Sequence, residues 1–97
     1  MAYKIYRSPN VEIELEEAYS YYYNLQSNKT LLAFDKEIEK AFSALETNPF
    51  YQVRYKNVRA LPLKKFPFII FFTVTEIESR VDILSIFHSK QNPNKYP

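Results

Sequence analysis

Glycine is absent from all 97 residues, where average usage would supply about seven. A phosphate-cradling P-loop and a G-x-G-x-x-G dinucleotide turn both need glycine where backbone meets phosphate, so neither can exist here. The G-x-S-x-G nucleophile elbow is excluded on the same ground. Cysteine is absent too, which removes a disulfide scaffold, a thiolate zinc site and a thiol nucleophile. One histidine, with no cysteine beside it, offers too few ligands for an ordinary protein zinc site. No cofactor or metal is therefore expected. The longest apolar stretch, Phe66 to Val74, contains Pro67 and Thr73 and is too short to span a bilayer. The opening residues Met1 to Arg7 lack the apolar run of a signal peptide. The expectation is a soluble, cytoplasmic, single-domain protein.

What is present is unusual in one respect: nine Tyr and eight Phe make the chain 18% aromatic. Apolar residues at 46% and charged residues at 25% are ordinary for a globular domain. A chain of this length should bury roughly two-thirds of its unfolded surface in one core. The net charge of +2 hides an asymmetry. Residues 1–48 hold five Lys/Arg against eight Asp/Glu, and residues 49–97 hold eight against three. An anionic partner would meet the second half.

Periodicity gives the element order. Tyr3 to Arg7 alternates as a short strand. Ser8-Pro9 fits a helix N-cap followed by proline at the first helical position. Val11, Leu15, Ala18, Tyr22 and Leu25 then form one helical stripe, predicting a helix over 9–25. After a polar break at Gln26-Ser27-Asn28, a second stripe runs through Leu31, Phe34, Ile38, Ala41, Phe42 and Leu45, and Asn48-Pro49 closes it. Asn57 to Leu61 has strand character, and Pro67 to Thr75 is apolar on both faces, as a central strand would be. Arg80 to His88 alternates, which places Val81, Ile83, Ser85 and Phe87 on one face and Asp82, Leu84, Ile86 and His88 on the other. The fold class is α+β, in the order β-α-α-β-β-β, with a helical hairpin packed on a small, mainly antiparallel sheet. Ser89 to Pro97 has no periodicity and reads as a tail that is mobile or ordered by a partner.

This order, with these residues, resembles the RelE/ParE superfamily of bacterial toxins, known also as plasmid stabilisation proteins. The resemblance is carried by Glu14 to Tyr22 on the first helix and by Phe34, Glu37-Ile38 and Leu45 on the second. It continues through Asn48-Pro49, Val58-Arg59-Ala60, Leu63 to Phe68, Ile83 to His88 and Asn92-Pro93, nearly the whole chain. It implies a small toxin held inactive by a cognate antitoxin whose C-terminal segment wraps it, as a homodimer or a hetero-oligomer with that antitoxin. RelE-type members cut mRNA on the ribosome, whereas ParE-type members poison DNA gyrase. An attenuated member that binds its antitoxin and harms nothing is a further alternative.

Metal-free RNA cleavage needs a base, an acid and cations to hold the developing phosphorane charge. The candidates are His88, Arg59, Lys64 and Lys65, with Arg80 and Lys90 beside them. His88 ends the last strand, and its near-neutral reference pKa suits proton transfer; its plain reading is a strand-end histidine in a structural contact. Lys64 and Lys65 either face phosphate at a strand start or occupy a solvated turn. Arg59 either faces phosphate or pairs with an acidic residue such as Glu37. Arg80, next to Asp82, reads as a surface charge. In RelE-type nucleases the central strand carries an arginine, and by the register of the resemblance that position is Ile69 here. Their C-terminal strand ends in Arg and Tyr, where this chain has Phe87-His88-Ser89-Lys90-Gln91. Losing one such stabiliser costs about 10²–10³ in rate, so the pattern is the more ParE-like.

Tyr19, Tyr21, Tyr22 and Tyr23 cannot all face a core, because successive helix positions are about 100° apart. Some are expected at a partner interface. An antitoxin-binding domain should also expose an apolar-lined groove beside the hairpin or along the sheet edge.

Overall fold

The computed structural model describes residues 2–89. The elements are β1 (Lys4–Arg7), α1 (Pro9–Asn24), α2 (Asn28–Thr47), β2 (Val53–Tyr55), β3 (Val58–Pro62), β4 (Phe68–Thr75) and β5 (Arg80–His88), with a single 3₁₀ turn at Glu76–Glu78. Five strands form one sheet in the order β1-β5-β4-β3-β2. β1 runs parallel to β5, and every other neighbouring pair is antiparallel. The α+β architecture read from the sequence is the one observed. The additional strand is β2, whose three residues are all exposed. Lys90 and the remainder of the expected tail lie outside the described residues.

Local chemistry sets the helix ends. The Ser8 hydroxyl accepts from the Val11 amide at 3.3 Å, with Pro9 opening α1. Ser27 caps α2 in the same way, accepting from the Thr30 amide at 3.3 Å. With no glycine available, Gln26, Lys56 and Ser79 adopt left-handed backbone at φ 57°, 49° and 50°. Each closes a turn at a steric cost of roughly 1–2 kcal/mol.

The hairpin lies on one face of the sheet. Val11, Leu15, Ala18 and Tyr22 of α1 and Phe34, Ile38, Ala41 and Leu45 of α2 are buried against Phe68, Ile70, Phe72, Val81, Ile83 and Ile86. Leu25, read as part of the first stripe, is instead 53% exposed, because α1 ends at Asn24 and Leu25 caps it. Val58, Ala60, Ile69, Phe71 and Phe87 form a second buried cluster on the opposite face. β4 is thus buried on both sides, as its composition predicts.

The simple alternation expected along residues 80–88 does not hold. Phe72 pairs with Ile83 but Phe71 pairs with Ser85, so β5 carries a bulge at Leu84. The extra residue flips the facing, so that Val81, Ile83 and Ile86 share the helix side. Phe87 and the partly buried Leu84 join the other cluster.

Candidate functional site

Two carboxylates tie the helices to the sheet, one on each flank of the hairpin. Glu14 of α1 reaches the bulge of β5, where it accepts from the Ile86 amide at 2.9 Å and from the Ser85 hydroxyl at 3.1 Å. A bulge disrupts the regular ladder, and this carboxylate takes up a donor at that point. Glu37 of α2 accepts from the amides of Lys64 and Lys65 at 2.6 and 3.0 Å. These lie in the turn between β3 and β4. The helices are joined by the Tyr19 hydroxyl, which donates to Asp35 at 2.8 Å. Burial, then the hydrogen bond to Asp35, raises the Tyr19 pKa well above its ordinary value of 10.0.

Outside Glu37, a trough runs along α2. Its deeper part holds about 430 Å³ between α2, the end of β3 and the Lys64–Lys65 turn. A second, more open hollow of about 640 Å³ continues it toward Asn48 and Phe50. The two share Lys40, Ala44 and Tyr51. An apolar-lined groove beside the hairpin, as anticipated, is therefore present.

The residues nominated from the sequence fall in different places. Lys64 and Lys65 are exposed in the turn, with their backbone rather than their ammonium groups held by Glu37. Arg59 does not pair with Glu37. Its guanidinium donates to the Tyr51 carbonyl at 2.8 Å and lies 5.3 Å from the centre of the Phe50 ring. His88 is half-buried, edge-on to Phe68 at 5.0 Å between ring centres. Arg59 pairs with Phe72 and His88 with Phe68 across the sheet. They stand four positions apart along β4, roughly 13 Å at about 3.3 Å per residue. His88 and the lysine turn share the other end of the sheet, where the Ser89 amide donates to the Pro67 carbonyl at 2.7 Å. Ile69 is buried in the second cluster.

Arg80 is a paired surface charge, bonded to Asp82 at 2.9 Å and stacked 4.0 Å from the centre of the Tyr6 ring. The tyrosine run divides as helix geometry requires. Tyr22 is buried, Tyr19 packs at the edge of the core, and Tyr21 and Tyr23 are exposed. Lys36 and Lys40, which line the trough, were not singled out from the sequence. Their one-turn spacing on α2 places them on the same face and is the signal that marks them. Among the described residues, no group of three or more His, Asp or Glu is arranged to hold a metal ion. No described helix is long and apolar enough to cross a membrane.

The fold is shared with a solved structure described as the chromosomal ParDE TA system from P. aeruginosa. The match has a TM-score of 0.74 at 20% identity and covers 92% of this chain and 98% of that one. No curated protein matches the chain. The family model described as the ParE toxin of type II toxin–antitoxin systems, parDE, matches residues 5–93, from within β1 to beyond the end of β5. This chain belongs to the ParE toxin family of type II toxin–antitoxin systems.

Proposed function

We propose that the protein is a cytoplasmic toxin that acts by binding a protein target and is neutralised by a cognate antitoxin. DNA gyrase is the target that the family resemblance implies. The observation that carries this reading is the separation of Arg59 from His88, together with the lack of a cation in the central strand. Arg59 is committed to the Tyr51 carbonyl, it is strands away from His88, and position 69 in the central strand is a buried isoleucine. Phosphorane stabilisation requires several cations converging on one point. Binding to a protein requires only a surface, and the trough along α2 supplies one.

The test is induction of the chain alone in a bacterial host. Filamentation and DNA damage are expected before any halt in translation, and His88→Ala and Lys64→Ala should leave toxicity intact. A second reading, as a ribosome-dependent mRNA endonuclease, draws on the placement of His88 and the lysine turn at one end of the sheet. Loss of toxicity in both variants, with early translational arrest, would replace the first reading with the second. A wild-type chain harmless at high expression would end both.

A further inference from the structure

We propose that the face of the sheet turned away from the helices is a docking surface for the chain's own residues 90–97, with Tyr96 seated over Phe71 and Phe87. The inference goes beyond the reading above and does not depend on it. Three observations converge.

The first is burial. Phe71 is 0% exposed and Phe87 3%, and Val58, Ala60 and Ile69 are buried beside them. Every helical residue buried in the core belongs to the other cluster. Tyr51, Leu63 and Phe66, from the connecting segments, pack against that other cluster too. Among the described residues, the partly buried hydrophobic packed on the second cluster is Leu84, which comes from the same sheet. Side chains on a strand stand roughly perpendicular to the sheet. Neighbours in one layer therefore shield their flanks and leave their tips open. Wholly buried tips require a second layer, and such layers stack about 10 Å apart.

The second is reach. Outside the described residues the sequence holds Met1 and residues 90–97. β5 ends at His88, opposite Phe68, and Phe71 lies three positions further along β4, about 10 Å at about 3.3 Å per residue. The Ser89 amide, bonded to the Pro67 carbonyl, fixes the starting point beside that end of β4. Eight residues span at most about 26–29 Å, enough to rise one layer and run back to Phe71. Asn92-Pro93 supplies the turn signal between exit and return.

The third is composition. Tyr96 is the aromatic residue of a segment otherwise made of Lys, Gln, Asn and Pro. A tyrosine suits the edge of a cover, because its ring packs on apolar surface while its hydroxyl stays in water. Phe71 and Phe87 already meet edge-to-face with 6.1 Å between ring centres, and a third ring extends that arrangement.

Tethering selects this occupant over a second copy or a separate partner. A short flexible link holds a segment at an effective concentration of about millimolar, which a separate molecule must supply for itself. A partner then reaches this face only by taking the segment's place.

The test uses the isotope-labelled full chain. Through-space proton contacts (nuclear Overhauser effects) are expected from the Tyr96 ring to Phe71, Phe87 and the Ala60 methyl, and they should not change on dilution. Tyr96→Ala should shift amides at residues 58–60, 69–71 and 87 while leaving the helix amides in place. It should also lower the thermal midpoint by about 4–8 °C and raise the fluorescence of a dye that binds apolar surface. Tyr96→Phe should keep the contacts and the midpoint. Three outcomes overturn the proposal. One is sharp, averaged signals for residues 90–97 with no contact to the sheet. Another is contacts that fade on dilution, which would assign the face to a second copy. The third is a Tyr96→Ala chain with the amide spectrum and midpoint of the wild type.

Discussion

The two flanks of the helical hairpin use the same device to opposite effect. On the α1 flank, Glu14 crosses to a strand and takes two donors at the β5 bulge, one of them the hydroxyl of buried Ser85. On the α2 flank, Glu37 also takes two donors, but they belong to an exposed turn, and the trough lies beside it. A carboxylate bonded to a strand closes a seam. One bonded to a turn shapes a rim that stays in water. The chemistry of the group does not decide between these; the surroundings of its partner do.

The contrast can be broken by mutation. Phe34, wholly buried, is the aromatic wedge between the helices and the sheet, touching Tyr19, Tyr22, Phe66 and Phe68. Phe34→Ala should have the largest effect, about 3–5 kcal/mol in urea unfolding, because both flanks depend on it. Glu14→Ala comes next at about 1–3 kcal/mol, since it leaves the Ile86 amide without this acceptor in a half-buried setting. Glu37→Ala should cost less than about 1 kcal/mol, as water replaces the carboxylate at the exposed turn. Equal losses for the two would remove the distinction between the flanks.

A smaller effect separates the helix–helix seam from both. The Tyr19 pKa is raised in the folded chain, so above pH 10 the unfolded chain gives up this proton before the folded one does. Stability from this group is complete below the ordinary tyrosine value and declines as pH rises beyond it. The wild type should therefore lose more stability than Tyr19→Phe between neutral and strongly alkaline pH. The loss is measured by urea unfolding at each pH, and parallel curves would refute the assignment. The smallest change is expected for Lys36→Glu with Lys40→Glu, within about 0.5 kcal/mol of wild type in thermal unfolding. The open flank contributes a surface rather than stability.

Much of this architecture is legible in the sequence because burial imposes its period. The helix read over 9–25 is Pro9–Asn24, and the central strand read over 67–75 is Phe68–Thr75. Three features were not legible, each for a physical reason. β2 has three exposed residues and a shifted register against β3, too short for any alternation to register. The β5 bulge is invisible because Leu84 and Ile86 are apolar whichever face they take. Arg59 found a backbone carbonyl and a ring instead of Glu37, and no spacing rule encodes a contact between distant segments. For the site, the sequence supplied Lys64 and Lys65 and the expectation of a groove. It did not supply the helix rotation that brings Lys36 and Lys40 to the same rim.

The parallel pairing of β1 with β5 has a temporal meaning. Lys4 to Arg7 align with Arg80 to Ile83, so among the described strands the earliest in the chain waits for the latest. Joining them closes a loop of most of the chain, an ordering cost that slows such topologies. A nascent polypeptide can wind its two helices early, yet β1 stays without its partner until residues 80–83 have been made. The sheet, and the surface it supports, is therefore completed late, long after the hairpin that covers it has been made.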